Sequence, residues 1–434
     1  MIPKVRLLTA AAVTLLLAAL VLVGGVEQSQ AGTGVEIEFW HAMSRSRGEV
    51  LEGLVGRFNR ENPGITVKAR FVGAANPRLG NDYSALYGKL LEHLARGTPP
   101  DVAQVYENWT TQLIEINALT PVDQFLAGPG GLDARELDDF VTVFREANAF
   151  PAGGSSRLYT LPFNKSIFVL YYNRALFNEL GLKPPETWED FRAAARTISE
   201  RKGIPGLVFQ PSVDMFGHYL YAHGGHYIQD NRASFGGETG VGDLDFWSQM
   251  VHSDRSARPA FDAMEQFEKG QSGMYIETTS RISSFEKAQG LDFGVTLLPR
   301  GTTRAYQFAG TNLALFSASS PEKQKAAWQF IRFLTSSEIT AEWALGTGYL
   351  PVRKSAISSP RYQQFIQAHP EYAVGLQALQ YAVVQPRVSA WESIRGILDD
   401  AMFEALSRKN TSGDALQRAV SLSNNLLSYL QGRN

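Results

Sequence analysis

"VEIEFWHAMSRSRGEVLEGLVGRFNRENPGITVKARFV", residues 35–72, is the stretch on which the architecture turns. Its first six residues alternate, the period of a strand with one buried face. Val50, Leu51, Leu54, Val55 and Phe58 then fall on one helical face, and Asn62-Pro63-Gly64 stops that helix. "ITVKARFV" alternates again. A strand, a covering helix and a second strand make a parallel crossover unit.

Working outward, the pattern repeats. "YSALYGKLLEHLARG" places Leu86, Leu90 and Leu94 at helical spacing, "DVAQVY" (101–106) reads as a short buried strand, and "WTTQLIEINAL" as a helix. A second unit opens at "LPFNKSIFVLYYN" (161–173), where Ile167–Tyr172 reads as a buried strand. The helix "TWEDFRAAARTISERKG" follows, with Thr187 as its cap, and then the strand "GLVF". "SGMYIET" leads as a strand into the helix "SRISSFEKAQG"; "LDFGVTLLP" and "QFAGTNLALF" are further strands. "SSPEKQKAAWQFIRFLTS" is a helix capped by Ser320 with Pro321 in its first turn, "SEITAEWAL" runs helically to Gly346, and 389–406 is helical. This is an α/β chain of two lobes.

The 434 residues suit two domains, and a net charge of −2 gives no reason to expect a nucleic-acid partner. Residues 1–31 have the charged, apolar and small-residue order of a signal peptide cut after Ala31; a retained membrane anchor is the alternative. Without cysteine there is no disulfide and no lipid attachment at the signal, so the expectation is a free periplasmic or otherwise extracytoplasmic monomer. The chain is expected to pass between lobes near residues 165, 292 and 346. That assigns 32–165 and 293–345 to an N-terminal lobe, and 166–292 and 346–434 to a C-terminal lobe, with a cleft at a multi-segment hinge.

Chemistry is sparse. No Walker loop, G-x-S-x-G elbow, H-E-x-x-H or EF-hand loop is present. His218, His223 and His226 lack metal-ligand spacing and are expected at the surface or lining the cleft; no metal and no cofactor are expected. Glu107 follows a strand, where open α/β sheets bind ligands, and its carboxylate suits the hydroxyls of a polyol or sugar. Arg395 reads either as an i, i+4 partner of Asp399 or as an anion clamp. Thr278 and Thr279 read as a helix cap whose free N–H groups suit an anion.

Over nearly its whole mature length the chain resembles the extracellular solute-binding proteins of ABC importers. The opening strand with Phe39-Trp40-His41, "PPETWEDF" and "TGYLPV" carry that likeness. A finer similarity is to the members that bind glycerol-3-phosphate. It rests on Tyr83 ahead of Gln104-Val105-Tyr106-Glu107, Ser166 in "PFNKS", Thr278 at a strand end, Gly310 after Ala309, Tyr349 in "TGYLP" and Arg395 in a late helix.

The resemblance implies a type II periplasmic-binding-protein fold with a membrane permease as partner. Its ligand would be glycerol-3-phosphate or a glycerophosphodiester such as glycerophosphocholine. Arg395 would hold the phosphate, helped by Ser166, Thr278, the Gly310 N–H and Tyr349; Glu107 and Tyr83 would hold glycerol hydroxyls. Lys165, beside Ser166 on a strand, should then face away. Relatives carry tryptophans where this chain has Phe209, Phe216, Tyr219, Tyr221 and His223, which leaves the preferred ester open. Two alternatives stand: a di- or oligosaccharide receptor on the same scaffold, and a cleft glycosidase, for which Glu107 lacks an evident second carboxylate.

Overall fold

The computed structural model describes residues 34–74, 82–128, 130–152 and 155–432. The signal-peptide expectation lies outside them. Among the described residues no helix is long and apolar enough to cross a membrane.

In chain order the elements that matter here begin with β1 (Val35–His41), α1 (Arg45–Glu61), β2 (Ile65–Phe71), α2 (Asp82–Ala95), β3 (Val102–Val105) and α3 (Glu107–Glu115). They continue with β4 (Thr160–Asn173), α4 (Trp188–Lys202), β5 (Leu207–Phe209), α5 (Val213–Ala222), β6 (Ala257–Pro259), β7 (Met274–Thr278) and β8 (Phe293–Thr296). The last are β9 (Tyr306–Leu315), α6 (Pro321–Leu334), α7 (Ser337–Thr347), β10 (Ala382–Val383) and α8 (Trp391–Leu406).

β1 pairs in parallel with β2 and β3, as the opening stretch requires. Its buried residues Ile37 and Phe39 face α1, whose Leu51, Leu54, Val55 and Phe58 are buried. The ladder runs β6-β5-β7-β4-β9-β3-β1-β2, with β8 added on β4 and β10 on β9. Two long strands join its halves. β4 pairs through Thr160–Ile167 with β9, and through Phe168–Tyr172 with β7. β9 pairs at Asn312–Leu315 with β3 and at Tyr306–Gln307 with β10. One pair of strands therefore threads both lobes.

The strand pairing departs from the expected lobe boundaries in two places. Phe293–Thr296 pairs with β4 at Leu170–Asn173, on the far half of the sheet, and β9 is the strand that returns. Past the expected crossing at 346, the backbone still serves the first half. Val141 N bonds Val352 O and Lys354 N bonds Asp139 O. The helix expected to stop at Gly346 continues to Thr347, and Gly348 ends it with a φ of +80°, a conformation that suits glycine. The helix expected after Thr278 shrinks to a 3-10 turn, Thr279–Arg281, and Ile282–Phe285.

Candidate functional site

A cavity of about 140 Å³ opens between the lobes beside the threading strands. The first lobe gives Tyr83 from α2 and the run Tyr106 to Trp109 where β3 meets α3; β9 gives Phe308, Ala309 and Gly310. The second lobe gives Asp214 from the first turn of α5, Gln385, and Trp391, Glu392 and Arg395 from α8. Trp391, Ile394 and Leu398 bury one face of α8, which leaves Arg395 on the flank toward α5.

Two ion pairs dominate. Arg395 forks Asp214 through both terminal nitrogens, Nη1–Oδ1 at 3.0 Å and Nη2–Oδ2 at 2.8 Å, and Nη1 also donates to Gln385. Burial pushes the Asp214 carboxyl up, but the Arg395 guanidinium more than offsets that and holds it below its ordinary value. Lys165, fully buried, donates to Glu107 Oε1 at 2.5 Å and to Gly310 O at 3.1 Å. A third carboxylate, Glu392, reaches across the cleft and accepts from Asn108 Nδ2 at 3.0 Å. Burial raises the Tyr83 and Tyr106 phenols well above their usual value, so both stay neutral donors.

Of the residues expected from the sequence, Tyr83, Glu107, Gly310 and Arg395 line this cavity. Tyr349 is buried next to it, its hydroxyl 3.4 Å from that of Tyr83 and its ring stacked on Trp343. Thr278 is buried at the end of β7 with its hydroxyl bonded to Ser280, so it makes no side-chain helix cap. Ser166 is buried opposite Ala309 and is not among the lining residues. Strand alternation holds, but with the opposite face: Lys165 reaches the cavity wall through Glu107, where Ser166 was expected. Arg395 pairs with Asp214 and not with Asp399, whose Oδ1 accepts from Val213 N. His218 is a core residue, 1% exposed, against Phe168, not a surface or cleft histidine. Among the described residues no cluster fits a metal ion.

Sequence reasoning missed Asp214, Asn108, Trp109, Gln385, Trp391 and Glu392. Asp214 sits in the first turn after the Ser212 cap and reads there as a helix-dipole acid. Nothing local announces a partner in a helix 181 positions on. It also missed Arg47, which spans the lobes: its Nη2 donates to Ser280 O at 2.8 Å and its guanidinium lies over the Tyr349 ring.

Residues 54–373 match the family described as bacterial extracellular solute-binding protein. The chain belongs to that family. Among its relatives is the sn-glycerol-3-phosphate-binding periplasmic protein UgpB of Yersinia pestis, 25% identical over 431 residues, covering 92% of this chain and 94% of that one. In fold it is similar to UgpB from Mycobacterium tuberculosis in complex with glycerophosphocholine, with a TM-score of 0.79 at 23% identity over 92% of this chain and 98% of that one. It is equally similar to the GacH receptor of Streptomyces glaucescens, solved unliganded and with acarbose. There the TM-score is 0.79 at 20% identity, over 91% of this chain and 99% of that one. The two-lobe binding-protein fold expected from the sequence is thus the fold of the family. Such proteins take a small solute outside the inner membrane and work with ABC importer permeases.

Proposed function

We propose that this solute-binding protein captures a glycerophosphodiester whose head group carries a cation, glycerophosphocholine being the nearest simple example, and delivers it to an ABC importer permease. The observation that carries this reading is the Arg395–Asp214 pair in the cavity wall. The terminal fork of Arg395 is taken by Asp214 and Gln385, while its Nε has no hydrogen-bond partner among the described residues. That edge remains to donate to a phosphate oxygen. A phosphodiester brings one negative charge to it. A phosphate monoester brings nearly two, next to Asp214 and Glu392, and among the described lining residues Arg395 is the one cation that opposes them, since Lys165 stands behind the wall and is paired with Glu107. A cationic head group restores the balance, and the aromatic residues Trp391, Trp109 and Tyr106 line the cavity that would hold it. Curated relatives named for glycerol-3-phosphate support the glycerol phosphate part of the ligand.

The sugar-receptor reading has its own supporting observation. Lys165 and Glu107, and Arg395 and Asp214, already neutralise each other in pairs, which suits an uncharged polyol. The glycosidase alternative loses ground for a related reason. The cavity does bring Glu107, Asp214 and Glu392 together, but Asp214 is held ionised by Arg395 and so is no proton donor.

Competition for a fluorescent glycerophosphodiester, followed on protein unfolded and refolded to strip carried-over ligand, separates these readings. Glycerophosphocholine should compete best, sn-glycerol-3-phosphate at least tenfold less well, and maltose not at all. A tracer that fails to bind, with maltose binding in direct calorimetric titration, would replace the proposal with the sugar reading.

A further inference from the structure

We infer that Lys165 is a positioning residue that sets the specificity of one end of the cavity: it keeps Glu107 an acceptor for neutral hydroxyls and prevents it from serving as counter-ion to a cation. The inference rests on the proposed ligand class, because it assigns the glycerol hydroxyls to the Glu107 end and leaves the head group to the Asp214 and Glu392 wall.

The geometry is that of a built support. Lys165 lies on β4 opposite Gly310 of β9, at the pair of strands that threads both lobes. Its ammonium touches no solvent, lies 2.5 Å from Glu107 Oε1 and 3.1 Å from Gly310 O, and faces the Phe308 ring at 5.4 Å. Glu107, Gly310 and Phe308 all line the cavity, while Lys165 stands behind them. One oxygen of Glu107 is thereby fixed and the other is left for the ligand, since no protein donor reaches Oε2 among the described residues. A buried ammonium this close cancels the carboxylate charge where the two would otherwise attract a cation. The remaining charged and titratable groups around Glu107 are the Tyr83 and Tyr106 phenols, the Asp214–Arg395 pair, Glu392 and Arg387. Arg387 spends one terminal nitrogen on the carbonyls of Glu146, Ala147 and Ala149, so Lys165 is the only cation in direct contact with Glu107 among the described residues.

The test compares wild type with Lys165→Met, Glu107→Gln and the double variant. In ligand-free protein, choline chloride is the cation probe; Lys165→Met should bind it at least tenfold more tightly than wild type, and adding Glu107→Gln should remove that gain. Calorimetric titration with glycerophosphocholine and with maltose reads recognition. For whichever probe binds wild type, Lys165→Met should lose at least tenfold. The double variant should regain part of that loss. An unchanged choline affinity in Lys165→Met overturns the inference, as do single losses that simply multiply in the double variant. If wild type binds neither probe, the proposed ligand class fails, and the choline titration still decides the role of Lys165.

Discussion

Arg395 and Asp214 carry the account at the scale of residues. A guanidinium that the spacing left open between Asp399 and an anion, and that the family resemblance gave to the phosphate, proves to be shared with a carboxylate from another helix. Arg395→Lys keeps a cation for Asp214 but removes the Nε edge. It should weaken glycerophosphocholine binding by about 1.5–3 kcal/mol, the range for a hydrogen bond to a charged group, with little change in unfolding temperature. Calorimetry and thermal melting check the two halves of that statement. His218 gives a pH prediction. Burial lowers its pKa to about 4, and neither ring nitrogen has a hydrogen-bond partner among the described residues. Its folded value lies below its unfolded one, so the unfolded chain binds the extra proton between roughly pH 6.5 and 4. Its contribution is fully present above that window and is lost as pH falls through it. His218→Leu should therefore reduce the acid loss of stability by up to about 3 kcal/mol across the window, measured by denaturant unfolding at stepped pH. What the sequence showed at this scale was residue type in a family context. Tyr83, Glu107, Gly310 and Arg395 stood where the cavity lies, but the pairs Arg395–Asp214 and Lys165–Glu107 are made by tertiary approach and leave no local pattern.

At the scale of elements the reading was good wherever one periodicity ruled. Thr187 caps α4 and forms a reciprocal box with Asp190, as its position suggested. Thr187→Ala should cost about 1 kcal/mol in chemical unfolding without altering ligand affinity. Ser320 and Pro321 begin α6 as expected, because caps are local chemistry. The threading strands were harder. Only Ile167–Tyr172 of β4 stood out, yet the strand spans Thr160–Asn173, since polar Asn164, Lys165 and Ser166 are buried inside it by partners distant in sequence. β9 shifts register between Thr311 and Asn312, and Gly310 holds a φ of +104° where an added Cβ would meet Asn164 O at 1.7 Å. Such a position excludes any side chain. Gly310→Ala should cost at least about 1–3 kcal/mol in unfolding and should weaken ligand binding as well, because the Gly310 carbonyl holds Lys165.

Across the whole molecule, the two lobes meet through contacts that need no ligand. Arg47 donates to Ser280 O on one side of the cleft, and Asn108 donates to Glu392 on the other. The cavity lined by Asn108 and Glu392, about 140 Å³, is below the roughly 300–1,000 Å³ of ordinary small-molecule pockets. On the proposed ligand, capture would need the lobes to part, and these two contacts would resist that parting. Arg47→Ala with Glu392→Ala should raise the ligand-free radius of gyration in small-angle X-ray scattering while leaving the melting temperature nearly unchanged. An unaltered radius would remove the contacts from the account. The two-lobe plan was legible because the α/β rhythm repeats. The return crossing was not, because Phe293–Thr296 has the same apolar content whichever half of the sheet it joins.

The most direct test of the central claim is a calorimetric comparison of refolded wild type and Asp214→Asn with glycerophosphocholine and sn-glycerol-3-phosphate. If Asp214 shares Arg395 with a phosphodiester, wild type prefers glycerophosphocholine. Removing the carboxylate charge then shifts the ratio toward the monoester by about tenfold, the effect of roughly 1.4 kcal/mol. An unchanged ratio, or a wild type that prefers the dianion, would contradict the charge balance on which the proposed ligand rests.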